Sequence, residues 1–283
     1  IIGNWLKEKN NRDKVILASK IASKSEGLQW IRGGAKKLGF DKKNMNQAID
    51  ASLKRLKTDY IDLYQLHWPE RNVPLFGQLD FEHDPNDSDW TSIEEVLFNL
   101  NELVRAGKVR YVGLSNETPW GMMKFLQLAK EKNLPRMMSI QNVYSLVNRV
   151  FDVAHSEVAI AEDCGLLAYS PLAGGRLSGK YIGGKNPKNA RYTLWPSRFS
   201  RHHTKRGEIA IEKYFKLANK CGLAPSTFAN AFVNNRPFVT SNIIGATDMS
   251  QLKENIDSID VILDKQTLSD IQNIHLDDPN LCV

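Results

Sequence analysis

Residues Ser92–Asn116 read SIEEVLFNLNELVRAGKVRYVGLSN, and this stretch decides the fold. Ser92 with Glu95 is a capping-box signature. Ile93, Val96, Leu97, Leu100, Leu103 and Val104 follow as one apolar stripe at helical spacing, and Gly107 stands where a helix stops. Val109–Leu114 is then a β-like apolar run, and it ends at the polar pair Ser115-Asn116. One helix, one strand and one polar strand end make a repeating unit.

The unit recurs on both sides. Val15–Ala18 runs into Ser19-Lys20, Tyr60–Leu66 ends at His67, and Met137–Ile140 ends at Gln141. Leu166–Ala168 ends at Tyr169, and Asn242–Ile244 at Gly245. Helical patterns lie between or beside these runs: Ile1–Glu8, Asp41–Lys57, Trp120–Asn133, Arg206–Gly222, Pro225–Asn234, Met249–Ser258 and Lys265–Ile274. Such alternation predicts an α/β protein with a parallel sheet and helices outside. Parallel strands put their C-terminal ends on one rim, where a lysine, a histidine, an amide pair and an aromatic ring would make an enzyme site. Two long irregular segments, Trp68–Trp90 and Gly183–Thr204, follow strand ends and read as covering loops on that rim. Their Trp68, Phe76, Trp90 and Trp195 either line an apolar pocket or pack the loops down.

The chain has 283 residues, 42% of them hydrophobic and 25% charged, an ordinary composition for a soluble domain. No apolar run approaches the roughly 18 residues that span a membrane, and Ile1–Trp5 lacks a secretory pattern. A soluble, cytoplasmic protein is the expectation. Cys164, Cys221 and Cys282 cannot all pair internally, which fits reduced thiols. The net charge of +6 is spread over helix faces and interleaved with acids, so nucleic acid is not an expected partner. Basic residues do concentrate over Lys180–Lys188 and at Arg191, Arg198, Arg201, Lys205 and Arg206, which suits a phosphorylated small ligand. The sequence does not speak to oligomeric state.

Taken singly, each polar strand end has a structural reading beside the chemical one. Lys20 is either a snorkelling surface lysine or a buried ammonium that lowers a neighbouring phenol's pKa. His67 is either a satisfied core residue or a neutral imidazole donating to a substrate oxygen. Ser115-Asn116 and Gln141 make turns or grip a primary carboxamide. Tyr169 offers a flat stacking face. The Ser170–Tyr181 segment, SPLAGGRLSGKY, brings glycine backbone amides and Lys180 to an anion. Gly245–Asn255 enters a helix whose N-terminus is an anion site. No G-x-G-x-x-G or Walker sequence is present, so a dinucleotide here is not held in Rossmann fashion.

In this order, Ala18-Ser19-Lys20, Gln65-Leu66-His67-Trp68-Pro69, Val112–Asn116, Ile140–Leu146 and Tyr169–Tyr181 resemble the aldo-keto reductases. The likeness is greatest to their Tas-like branch and covers nearly the whole chain. It implies one (β/α)8 TIM barrel over 1–283 that binds NADP(H) across its C-terminal rim. By the same resemblance the first two strands of that barrel are expected to be missing from this chain, and the barrel to be incomplete at its N-terminus. By the resemblance Lys20 and His67 match the catalytic lysine and histidine. Ser115, Asn116 and Gln141 match the nicotinamide carboxamide positions, and Tyr169 the stacking position. Ser170, Leu172, Gly174 and Lys180 match the pyrophosphate loop. Gly245, Thr247, Gln251, Glu254 and Asn255 match the adenosine 2′-phosphate and adenine end, with Arg198 or Arg201 as a supplement. Many members carry Lys or Arg where Gly245 and Gln251 stand, which leaves selection of NADP over NAD open. The family's proton-donating tyrosine and its aspartate precede the lysine strand, and neither motif occurs here. The implied activity is NADPH-dependent reduction of an aldehyde or ketone, with no metal. Two alternatives are a nucleotide-binding regulatory subunit like the potassium-channel beta subunits, and a barrel hydrolase or aldolase with Lys20 as Schiff-base former.

Overall fold

The computed structural model describes residues 1–25, 27–33, 37–197 and 200–282. They form two compact units: residues 1–73 with 81–141, and residues 74–80 with 142–283.

The first unit alternates helices and strands: α1 (Ile2–Lys9), β1 (Ala18–Ile21), α2 (Lys42–Leu56), β2 (Ile61–Leu66), α3 (Ile93–Arg105), β3 (Val109–Ser115), α4 (Pro119–Lys132) and β4 (Met137–Gln141). The strands pair in chain order, and every pairing is parallel. The helices begin where their sequences offer caps. Asp41 accepts from the Asn44 amide at 3.0 Å, Ser92 from Glu95 at 3.2 Å, and Thr118 from Gly121 at 3.1 Å. The stripe of α3 turns inward, with Val96, Leu97 and Leu100 at 1% exposure or less. Ile49, Ile61, Tyr64, Val112, Met122 and Ile140 are equally inaccessible and complete this core. Each such residue contributes about 1.5–3 kcal/mol by its burial.

The second unit contains α5 (His155–Ala161), β5 (Gly165–Tyr169), α6 (Arg191–Leu194), α7 (Lys205–Lys220), α8 (Pro225–Asn234), β6 (Val239–Ile243), α9 (Met249–Asp257) and α10 (Lys265–Asp277). β5 and β6 pair in parallel. Aromatic packing organises its interior. Tyr144 stacks on Phe232 at 5.9 Å and meets Phe238 edge-on at 5.3 Å, and Phe151 stacks on His155.

The α/β class expected from the sequence therefore stands, with six strands among the described residues near the six apolar runs. Two runs are displaced. The first strand is Ala18–Ile21 rather than Val15–Ala18, since Ile16 is 85% exposed and the Leu17 amide bonds to the Asp62 carboxylate. Lys20 thus lies within the strand. The last strand is Val239–Ile243, and its backbone ladder to β5 carries exposed Thr240 and Ser241 despite their polarity. The second covering segment is not structureless, because it contains α6 and short helical turns at Ile182–Gly184 and Ser200–His202. Among the described residues, no helix is long and apolar enough to cross a membrane.

Asp62 ties the start of the first unit to its sheet. It accepts from the Leu17 amide at 2.9 Å, from Arg12 at 2.7 Å and from Arg110 at 3.0 Å, and its side chain is 8% exposed. Asp62→Asn leaves two guanidinium groups without their counter-charge. It is expected to lower unfolding free energy by roughly 2–4 kcal/mol, read as a lower urea midpoint at unchanged slope. An unaltered midpoint would show that this cluster is solvated and inert.

Candidate active site

Each unit gathers its own share of the polar strand ends. In the first, Lys20 on β1 stands opposite Gln65 on β2, and the His67 amide donates to the Ile21 carbonyl at 3.0 Å. Lys20 and His67 line one cleft of about 620 Å³, with Arg32, Gln47, Ser52 and Arg55. Burial pulls the Lys20 ammonium below its usual pKa, and it has no ion-pair partner among the described residues. His67 drops to about 4, first because it is buried and second because the Lys20 charge repels a proton. Its imidazole is therefore neutral at pH 7.

A chain of hydrogen bonds joins His67 to the next two strand ends. The Asn116 carboxamide donates to the His67 carbonyl at 2.9 Å and to Ser115 Oγ at 3.1 Å. Ser115 Oγ donates to the Gln141 carbonyl at 2.8 Å, and the Asn116 amide reaches the same oxygen at 3.0 Å. Asn116 holds φ at +52°, a left-handed conformation that asparagine tolerates better than most residues. The first unit thus brings Lys20, His67, Ser115, Asn116 and Gln141 together.

In the second unit, Ser170, Leu172, Gly174, Lys180, Gly245, Thr247, Gln251, Glu254 and Asn255 line one cleft of about 510 Å³. Tyr169, at the end of β5, is paired with Ile243 of β6. Burial raises its phenol pKa, partly offset by the charge and hydrogen bond of Arg201. Arg201 also lies 5.7 Å from the Phe76 ring, so its guanidinium is engaged by both aromatic residues. Arg198 lies outside the described residues. The loop wall is tightly turned, with Ser170, Ala173, Gly174 and Gly175 all at positive φ. A Cβ at Gly174 would collide with the Tyr192 side chain, so only glycine fits there.

The far wall is held by its own hydrogen bonds. Gln251 Oε1 accepts from the Thr247 amide at 3.2 Å and hydroxyl at 3.1 Å. The Gln251 amide is capped by Asp248 at 2.9 Å. Asn255 donates to the Gly245 carbonyl at 3.1 Å and accepts from Asn230 at 2.8 Å, while Glu254 accepts from Ser226. Lys180 and Arg191 supply positive charge to the cleft, and burial is the main reason the Lys180 pKa falls, with Arg191 second. Arg191, Ser226 and Asn230 were not identified as site residues in the sequence. Arg191 showed there only as one of many basic loop residues. Ser226 and Asn230 belong to a helix with no motif to mark it.

The aldo/keto reductase family model matches residues 1–275. The chain is 44% identical to Protein tas of Escherichia coli over 280 residues, covering 97% of this chain and 78% of that protein. It is 41% identical to an Aldo-keto reductase of Babesia bovis over 259 residues, covering 86% and 88% of the two chains. It is 30% identical to the uncharacterized oxidoreductase YrpG of Bacillus subtilis over 279 residues, covering 97% of this chain and 76% of that protein. A match of this extent, with strand ends that carry the family's motifs in order, means that the chain belongs to the aldo/keto reductase family of oxidoreductases, in its Tas-like branch.

Proposed function

We propose that this protein reduces the carbonyl of a small aldehyde or ketone to an alcohol with NADP(H), in the cytoplasm. The observation that carries this reading is the second unit's cleft, where nine residues expected at a dinucleotide line one cavity of about 510 Å³. The donor set suits such a ligand: left-handed glycine backbone for close approach, and the Lys180 and Arg191 cations for phosphates. When bound, the cofactor supplies hydride, and the rest of the work belongs to the protein. Ser115, Asn116 and Gln141 would hold the nicotinamide carboxamide, and Tyr169 would stack on its ring. His67, neutral at pH 7, would donate a hydrogen bond that orients the substrate carbonyl. Lys20 would lower the pKa of a proton-donating phenol, a form of assistance worth roughly 10²–10⁴-fold. None of the eight tyrosines in the sequence stands at the family's donor motif, so that proton is assigned to none of them.

Selection for the 2′-phosphate rests on Thr247, Gln251 and the amides at the start of α9. Asp248 caps that helix and places a carboxylate at the same end, which opposes a second anion. The cations of the loop wall offset it.

The protein is expected to oxidise NADPH in the presence of small aldehydes, with deuterium passing from labelled cofactor to the alcohol carbon. Tight NADPH binding without turnover on a broad carbonyl panel would overturn the reductase reading in favour of a nucleotide-binding regulatory subunit. Lys180→Met removes a charge-assisted contact and should weaken NADPH binding by roughly 10–100-fold, measured by calorimetric titration. An unchanged affinity would remove the cleft from the cofactor's path.

The pH dependence follows from His67. Its folded pKa, near 4, lies below the unfolded value of 6.5. The unfolded chain therefore takes up this proton first as pH falls. The neutral ring's contribution to stability is fully present above about 6.5 and is lost as pH drops through about 4. Activity should show no imidazole-dependent acid limb between pH 5.5 and 7. Lys20→Met should raise the His67 midpoint by removing the repulsion, yet leave it below 6.5 because burial, the larger cause, remains. Ring-nitrogen NMR reads this directly, and a wild-type midpoint near 6.5 would contradict it.

A further inference from the structure

We infer that Arg71 and Glu117 form a positioning pair that locks the His67 strand end and the Asn116 strand end into one rigid frame. Arg71 follows His67 by four residues, and Glu117 follows Asn116 directly. Arg71 Nη2 donates to Glu117 Oε1 at 2.5 Å, and the two side chains are only 11% and 4% exposed. The same carboxylate oxygen accepts from the Thr118 amide at 2.7 Å and the Thr118 hydroxyl at 3.2 Å. The Arg71 guanidinium lies 5.1 Å from the Trp120 ring centroid. The first turn of α4 leaves room for the pair, because a methyl group at Gly121 would overlap both the carboxylate and the guanidinium.

Geometry explains what the pair does. Asn116 already donates to the His67 carbonyl at 2.9 Å. Beyond the last pair of the β2–β3 ladder, Leu66 with Leu114, one such bond acts as a hinge about which the two emerging segments can turn. The ion pair adds a second attachment beyond it, and two attachments fix the relative orientation. On its other side the segment is held by Glu70, which accepts from the Phe40 amide at 2.9 Å and the Thr91 amide at 2.8 Å. A buried ion pair is a poor device for stability alone, since apolar side chains of similar size often replace one without loss. Fixed direction is what it supplies and what an apolar pair lacks. A function in cofactor binding rests on the reading above; the fixing of His67 does not.

The test uses the full protein with two variants, Glu117→Gln and the double variant Arg71→Met with Glu117→Leu. The double variant should melt within a few degrees of the parent. In both variants the His67 imidazole midpoint, followed by ring-nitrogen NMR, should rise by at least one pH unit as the ring gains access to water. NADP⁺ affinity, measured by calorimetry, should fall at least tenfold. Where the double variant does not fold, Glu117→Gln carries the same two readouts. A folded variant with the parental His67 midpoint overturns the proposal, as does a midpoint that moves only in proportion to lost thermal stability. A parent that binds no NADP⁺ counts against the proposed cofactor, while the His67 titration still decides on the pair.

Discussion

In the parallel ladder of β1 and β2, Lys20 stands opposite Gln65, and the His67 amide closes on the Ile21 carbonyl one step beyond the last paired residues. That register carries the site. A parallel ladder keeps strand ends level, so a residue at the end of one strand meets the end of the next. The same logic puts Ser115 opposite Gln141 across β3 and β4, and Tyr169 opposite Ile243 across β5 and β6. A slip of one residue in any ladder would turn these groups to the opposite face.

The two clefts answer different physical demands. In the first unit, desolvation is put to use: a lysine and a histidine that would both carry protons in weak acid are held so that the imidazole stays neutral. In the second, the polar wall is satisfied from within. Gln251, Asn255 and Glu254 all have partners in Thr247, Asp248, Gly245, Asn230 and Ser226. Under the proposed function, a dinucleotide's polar groups would meet side chains already held in place, and little ordering entropy would be lost on binding.

Much of this was legible in the amino-acid order. The α3 stripe, the cap at Ser92, and the polar residues at five strand ends mark elements whose signal is local. Lys20 and the last strand were displaced because strand limits depend on pairing across the ladder. The Leu17 amide turns to Asp62, and polar Thr240 and Ser241 are carried along by β5. Asn230 meets Asn255 across 25 residues of chain, and Arg71 meets Glu117 across 46. Such partners have no common motif, and only folding brings them together. The resemblance named candidate residues, but it did not reveal that several of them are already occupied with one another.

The Trp68 indole donates to the Lys24 carbonyl at 3.1 Å, and its ring centroid lies 4.5 Å from that of His67. An imidazolium quenches a neighbouring excited indole, whereas a neutral imidazole quenches far less. The protein therefore carries an optical gauge beside its histidine. Its emission will dim as that ring takes up a proton, and no label need be attached to follow the change.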